Sequence, residues 1–315
     1  MEGNILYNIP HQWGLQVYLA WYFLLTGLSA GSFVISAFAY LLGKKELKPL
    51  GLIGAYLAPV LLLAAPILLI IDLGKPLRFW YLFLNLNPGS PLSWGSWLLT
   101  IYPIFSLIYL WHIRKGNEKM IKVFGIIGIP VAISVHGYTG FALALTKLTP
   151  LWNNAIMPVL FLISAMVSGI GLVMLVAVIL NKMSVPISKL AGAGATEMAA
   201  ASDSLPLNEM LNKAGKFLAG FIVFDLFLVL SEVLVWLTES PEAYELAMNM
   251  LTGSYSFLFL GVEIVLGALI PLFLLLYPKT SRTVAGQALA SVLVVIGVVA
   301  MRYIVIIGGQ SVPFN

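Results

Sequence analysis

The residues best suited to chemistry in this 315-residue sequence are a few acidic, basic and aromatic side chains inside long apolar segments. A charged side chain deep in a bilayer costs about 2.5–3.5 kcal/mol on insertion scales, so it marks a functional site or a buried partner. Carboxylates can exchange protons, and a phenol or imidazole beside them can hydrogen-bond a small polar ligand. The candidates are Asp72, Asp225, Glu232, Glu263, Arg302, Tyr138, His136 and Tyr22.

The segments that carry these residues are apolar enough to cross a membrane. The sequence is 60% hydrophobic and only 10% charged, whereas soluble domains average roughly 25% charged residues. A soluble enzyme, a nucleic-acid-binding protein and a disordered scaffold are therefore excluded. A spanning helix needs about 20 apolar residues, and the segments that qualify are 15–42, 49–72, 93–113, 122–146, 155–181, 214–238, 255–277 and 284–308.

The apolar runs are continuous and do not alternate with polar residues, which favours helices over a barrel. We therefore expect an all-α polytopic membrane protein of eight transmembrane helices, arranged as two packed four-helix bundles. Residues 1–315 are interpreted as a single integral membrane domain. The longest connection, 182–213, is rich in Ala, Gly and Ser and is expected to be a linker or a short surface helix.

The basic residues predict the orientation of the protein. The connections after the odd-numbered spans contain 13 of the 17 lysines and arginines, whereas those after the even-numbered spans contain Lys75, Arg78 and Lys147. Basic residues accumulate on the cytoplasmic side of a membrane. Both termini and the even-numbered connections are therefore expected outside, in the periplasm or its equivalent, and the 182–213 connection inside.

Most of the buried ionisable groups lie in the outer half of their spans. At about 1.5 Å per residue, Glu232, Glu263 and Arg302 lie roughly 9–12 Å from the outer ends, close to the level of Tyr138. Asp225 is seven residues before Glu232, on the same helix face but nearer the middle of the membrane. Two interpretations remain open: a polar pocket that exchanges protons with a small molecule, or an Arg302 that pairs with a glutamate and holds helices together.

The sequence offers few ligands for a redox metal. It contains no cysteine, so it has no thiolate ligand for an iron–sulfur cluster. Its three histidines are His11, His112 and His136, and no two of them lie at matched depth for haem. We therefore expect neither haem nor an iron–sulfur cluster in this protein.

Five short segments give the sequence a family resemblance. They are GLSAG at 27–31, DLGKPLRFW at 72–80, PLSWGSW at 91–97, the elements YTG and PLWNN within 138–154, and RY followed by GGQ within 302–310. Together they resemble the NrfD/PsrC family, the membrane subunits of polysulfide-reductase-like and nitrite-reductase-like complexes. The resemblance covers essentially the whole sequence. The tryptophans among these segments, Trp152 included, are also compatible with an outer aromatic belt.

The resemblance implies a quinone-reactive subunit. Members of the family are similar in holding menaquinone or ubiquinone near the outer face, and they exchange electrons with a four-cluster [4Fe–4S] ferredoxin-like subunit. That subunit in turn contacts a molybdopterin catalytic subunit or a multihaem cytochrome. The Tyr at the position of Tyr138 is the expected hydrogen-bond donor to the quinone. In one branch a His of the first span also contacts the quinone; here that position is Tyr22, so Tyr22 or His136 is expected to serve instead.

The expected complex lies in a prokaryotic cytoplasmic membrane, with the loops 73–92, 147–154 and 239–254 as its outer docking surface. Asp72 and Arg78 are expected in the mouth of the quinone pocket, and proton translocation through Asp225 is an extension of this hypothesis. Two other interpretations stay open. Buried charges and proline-interrupted helices are also typical of a secondary transporter, and a structural anchor without a quinone would share the same eight spans.

Overall fold

A computed structural model describes residues 16–43, 45–72, 75–85, 87–146, 149–190 and 206–311. Within these ranges the protein is helical and contains no strand. Eight helices are long and apolar enough to cross a membrane. They are α1 (Val17–Leu41), α2 (Lys48–Asp72), α3 (Pro91–Arg114), α4 (Glu118–Ala144), α5 (Met157–Lys182), α6 (Leu207–Thr238), α7 (Phe257–Leu276) and α8 (Val284–Ile306).

The eight predicted spans and the all-α fold class are confirmed. Backbone groups in lipid must find partners within their own segment, so a long apolar run forms a helix almost regardless of its other residues. The largest difference is at α6, which begins at Leu207 rather than near 214. Its first two turns contain Met210 and Leu211, which are buried, and Lys213, which forms an ion pair with Glu46 of the α1–α2 connection. His11, Lys44, Lys147 and the middle of the 182–213 connection, residues 191–205, lie outside the described residues.

The helices alternate in direction, so the bundle has two ends. We call the end where α1 begins and α8 finishes the terminal side. Contacts across this side join the connections after α4 and α6 to the end of α8: Trp152 donates to the Val305 carbonyl, and Asn249 donates to Ser311. At the opposite side Tyr56 donates to the carbonyl of Leu190, which follows α5.

Helix α1 is the centre of the bundle, because it packs against α2, α4, α5 and α8. It crosses α5 where Gly31 lies against Ala165 and Gly169, and a side chain on Gly31 would overlap the Ala165 carbonyl. Helices α7 and α8 meet in the same way at Gly267 and Gly297. Small residues let helices in lipid approach closely enough for dense van der Waals packing. The division into two four-helix bundles stays a prediction.

Helix α7 is irregular in a way that the sequence did not indicate. Its first 13 residues, Phe257–Leu269, form a π-helix, and ordinary α-helix resumes at Ile270–Leu276. π-helical turns are rare and occur frequently at functional sites. Glu263, one of the candidate residues, lies in the middle of this π-helix.

Candidate functional site

A cavity of about 600 Å³ opens on the surface of the bundle between α3 and α4. Its residues are Pro88, Gly89, Pro91, Trp94, Leu98, Ile133, Ser134, Gly137, Tyr138, Phe141, Leu145 and Leu162. Trp94, Phe141 and Leu145 are more than half exposed although they lie in or at the ends of spanning helices. Apolar side chains exposed on a spanning helix face lipid, so this cavity is accessible from the membrane. Tyr138 and Ser134 supply its side-chain hydroxyl groups.

The phenol of Tyr138 is held in place by two other spans. Its hydroxyl is hydrogen-bonded to the hydroxyl of Tyr22 on α1. Its ring lies against Gly95 of α3, where even a methyl group would overlap the ring carbons. The predicted pair Tyr22 and Tyr138 is therefore brought together, and Tyr138 also lines the cavity.

His136 is not part of the wall of this cavity. It is fully buried, and its ring stacks on Phe161. Its Nδ1 lies 3.2 Å from the Thr26 hydroxyl, and its Nε2 lies 3.2 Å from a guanidinium nitrogen of Arg302. The structure therefore gives His136 a position behind the cavity, between α1 and α8.

Arg302 is almost completely buried and is held by α4 and α5. Its Nη2 donates to Ser164 Oγ at 2.5 Å and to His136 Nε2, and its guanidinium lies 3.9 Å from the centre of the Phe161 ring. Its Nε and Nη1 have no hydrogen-bond partner among the described residues. Arg302 therefore has donors left over, which is unusual for a buried arginine.

Two carboxylates interact with this arginine without direct contact, and a third interacts with those two. Arg302 interacts electrostatically with Asp225 and Glu263, and Glu232 interacts with Asp225 and Glu263. No described carboxylate lies within 4.0 Å of Arg302, so the interpretation in which Arg302 pairs directly with Glu232 or Glu263 is wrong. Asp225 Oδ1 and Glu232 Oε1 are buried without a described partner. Such groups normally bind ordered water.

Asp72 and Arg78 lie apart from the Tyr138 cavity. Asp72 is the last residue of α2, is partly buried, and lies beside the backbone of Gln16. Arg78 is exposed and lines a separate cavity of about 240 Å³ with Lys75 and Phe79. Both residues are on the terminal side, but neither is in the wall of the larger cavity.

A metal site does not emerge from this arrangement. In the part of the protein that the structure describes, no three His, Asp or Glu side chains are grouped so that they could hold a metal ion.

Comparison with known proteins gives the family. A model of the polysulphide reductase NrfD family matches residues 7–313. The chain belongs to the NrfD family. The resemblance found in the sequence is thereby confirmed, and with the eight helices it identifies a multi-pass integral membrane protein.

Similar NrfD-type proteins include several components of reductase complexes. A polysulfide reductase component of Wolinella succinogenes is 28% identical over 99% of the present sequence and 98% of its own length. A selenate reductase component of Mesobacillus selenatarsenatis is 28% identical over 96% of the present sequence and 74% of its own length. An Hdr-like menaquinol oxidoreductase integral membrane subunit of Archaeoglobus fulgidus is 32% identical over 47% of the present sequence and 38% of its own length.

Three residues of this NrfD protein have roles that the sequence did not predict. Thr26 and Ser164 contact His136 and Arg302, and Trp152 is buried rather than part of an outer aromatic belt. Trp152 instead fixes the end of α8 through its bond to Val305. A hydroxyl one turn after Tyr22 was the available signal for Thr26, whereas the role of Ser164 depends on how α5 packs.

Proposed function

We propose that this protein is the quinone-reactive membrane subunit of a respiratory oxidoreductase complex. The observation that carries the proposal is a lipid-facing apolar cavity with the Tyr138 phenol in its wall, backed by Tyr22. A cavity of about 600 Å³ falls within the usual size range of small-molecule sites. Quinones are dissolved in the bilayer, so a cavity that opens to lipid suits them.

The two tyrosines would bind and orient the head group. A phenol can donate a hydrogen bond to a quinone oxygen and accept one from a quinol. Because Tyr138 and Tyr22 share a hydrogen bond, a proton that leaves one oxygen can be replaced from the other. A bound quinone would supply the electron-transfer chemistry, and the protein would supply orientation and protons.

The buried charges would exchange those protons with the aqueous phase. Asp225 and Glu263 interact electrostatically with Arg302, and Glu232 interacts with both of these carboxylates. Asp225 and Glu232 each have a buried oxygen without a described partner, and ordered water would bind there. Asp72 and Arg78 would act nearer the surface of the terminal side. Proton translocation through Asp225 is an extension of this proposal, and unchanged proton-to-electron stoichiometry in Asp225→Asn would remove it.

The electrons would leave through another subunit, because this protein has no cysteine to ligate an iron–sulfur cluster. The relatives named as parts of polysulfide and selenate reductases support a partner of this kind. We propose a four-cluster [4Fe–4S] subunit docked on the terminal side, linked to a molybdopterin or multihaem catalytic subunit. The terminal side would then face outward from a prokaryotic cytoplasmic membrane. The membrane quinone that reacts with the protein would be menaquinone or ubiquinone.

The most direct experiment is Tyr138→Phe in the complex purified with its native partners. Removal of this hydroxyl should lower quinol turnover by about tenfold or more, because one hydrogen bond to the reacting group is lost. The matched control is Tyr277→Phe, an exposed tyrosine at the end of α7. Quinone should also be extracted from the wild-type complex together with an iron–sulfur subunit. Wild-type turnover in Tyr138→Phe would remove Tyr138 from the site.

One observation favours a secondary transporter as the second candidate. The π-helix of α7 places Glu263 in an irregular helix beside Asp225, and transporters bind substrates at interrupted helices. The isolated protein reconstituted in liposomes should then take up a solute. Uptake without any partner subunit would support transport and refute the quinone proposal, and it would also exclude a purely structural anchor.

A further inference from the structure

Two buried hydroxyls beside the His136–Arg302 pair each have a backbone carbonyl that can accept their only proton. Thr26 Oγ1 lies 3.1 Å from the Phe23 carbonyl, and Ser164 Oγ lies 3.0 Å from the Phe161 carbonyl. A hydroxyl carries one proton and two acceptor positions. Ser164 accepts from Arg302, which has no acceptor, so its own proton goes to Phe161, whereas the role of Thr26 toward His136 depends on the histidine tautomer.

This restriction determines how His136 is protonated. A guanidinium has donors but no acceptor, so the 3.2 Å contact from Arg302 requires a lone pair on His136 Nε2. The ring proton of neutral His136 is then on Nδ1, and its acceptor is Thr26 at 3.2 Å. The Arg302 contact selects this tautomer, and Thr26 then accepts the Nδ1 proton while it donates its own proton to Phe23.

One further acceptor lies near the His136 ring. The Phe161 carbonyl interacts with His136 as a backbone hydrogen-bond acceptor. That carbonyl already accepts from Ser164 and lies 3.5 Å from Arg302 Nη2. Moving the proton to Nε2 would place two donors, His136 and Arg302, against each other. The Thr26 hydroxyl therefore supports the tautomer that the Arg302 contact requires, because it accepts the Nδ1 proton.

The same contacts orient the arginine. Nη2 is held by Ser164 and His136, and the flat face of the guanidinium rests on the Phe161 ring. Nε and Nη1 are the nitrogens left without a described partner, on a group that interacts electrostatically with Asp225 and Glu263. With one nitrogen and one face fixed, a planar guanidinium has little freedom to turn.

We propose that Thr26 and Ser164 are positioning residues. Thr26 holds His136 as the Nδ1–H tautomer. Both residues also hold Arg302, so that its N–H groups without a described partner are available to stabilise the carboxylates of α6 and α7. Both ring nitrogens of His136 are engaged, so His136 is itself a positioning residue and not a proton carrier. The effect on turnover rests on the proposed function, whereas the tautomer does not.

The test is nitrogen NMR of the full-length protein labelled with ¹⁵N-histidine, with the His136 signals identified by their loss in His136→Gln. Wild-type protein should show a protonated Nδ1 and an unprotonated Nε2. Thr26→Val, which replaces the hydroxyl by a methyl group, should convert His136 wholly or partly to the Nε2–H form. Thr26→Ser should keep the wild-type pattern, because it keeps the hydroxyl. If Thr26 only fills space, Thr26→Val and Thr26→Ser should give the same His136 nitrogen spectrum.

Function is measured in the intact complex with the same variants. Thr26→Val and Ser164→Ala should each lower quinol turnover by about tenfold, the effect of one lost hydrogen bond to a charged or buried group, while quinol affinity changes less than about twofold. Thr26→Ser should restore turnover. An Nε2–H form in the wild type, or a wild-type spectrum in Thr26→Val, would overturn the proposal.

The outcomes separate this proposal from the proposed function. If Thr26→Val does not fold, the wild-type spectrum still tests the tautomer of His136. Ser164→Ala then tests the positioning of Arg302, because this variant should retain the Nδ1–H form and lose turnover. Wild-type turnover in Ser164→Ala would refute the positioning of Arg302. A wild-type complex that does not oxidise quinol would refute the proposed function and leave the tautomer result standing.

Discussion

Two kinds of buried polar group meet at the centre of the bundle. The hydroxyls of Thr26 and Ser164 are fully used in hydrogen bonds, and they in turn hold a histidine and an arginine. The carboxylates of Asp225 and Glu232 have atoms without described partners. Structural polar groups in a protein interior are normally satisfied, so the unsatisfied carboxylates are the better candidates for proton exchange.

Glu232→Gln separates the chemical from the structural role of this residue. The Glu232 side chain is 4% exposed and Oε1 has no partner, so an ionised carboxylate here is destabilising. The neutral amide should leave the thermal unfolding midpoint unchanged or higher, while quinol turnover falls by about tenfold or more. Calorimetry and turnover are measured beside Glu239→Gln, an exposed residue at the end of α6. A lower midpoint with unchanged turnover would assign Glu232 a structural role.

At the scale of the helices, glycines decide how closely the spans approach and where the functional side chains fit. Gly31 sets the distance between α1 and α5, the helices that carry Thr26 and Ser164. Gly95 makes room on α3 for the ring of Tyr138 on α4. The first glycine is a packing position and the second belongs to the cavity, so substitution at each should have a different effect.

Gly31→Ala should destabilise the whole bundle. The added methyl group would overlap the Ala165 carbonyl, and overpacking of a tight contact costs about 1–3 kcal/mol. The control is Gly220→Ala on α6, where no atom lies within 4 Å of the added carbon. There alanine should be neutral or stabilising by up to about 1 kcal/mol, because it favours helix over glycine. Thermal unfolding in detergent compares the two, and equal stability would contradict the close crossing.

Gly95→Ala should act on the site and not on the fold. The methyl group would overlap the Tyr138 ring, so the ring must turn away from Tyr22 or into the cavity. Quinol affinity should fall by about tenfold, comparable to one lost hydrogen bond. Gly125→Ala is the matched control on α4, because its added carbon would meet only ordinary contacts near 3.7 Å. Quinol titration of both variants gives the comparison, and equal affinities would show that the ring position is unimportant.

For the whole molecule, the sequence predicted what depends on composition and missed what depends on packing. Eight spans follow from apolar length, because each helix satisfies its own backbone. The family resemblance predicts Tyr22 and Tyr138 at one quinone, and only their direct hydrogen bond, across 116 positions of sequence, depends on the α1–α4 packing. The sequence predicts both His136 and Tyr138 at the quinone, yet only Tyr138 lines the cavity. Both side chains contact α1, at Thr26 and Tyr22, so the difference between them depends on how the neighbouring helices pack.

Orientation is the whole-molecule prediction that follows from the 13-to-3 split of basic residues. The protein has no cysteine, so a single introduced thiol can be labelled without background. Glu245→Cys, in the short helix Pro241–Leu251 on the terminal side, should react with a membrane-impermeant maleimide on intact cells. Lys119→Cys, exposed at the start of α4, should react only after the membrane is permeabilised. The reverse pattern would place the terminal side in the cytoplasm, and an iron–sulfur partner docked there would also have to be cytoplasmic.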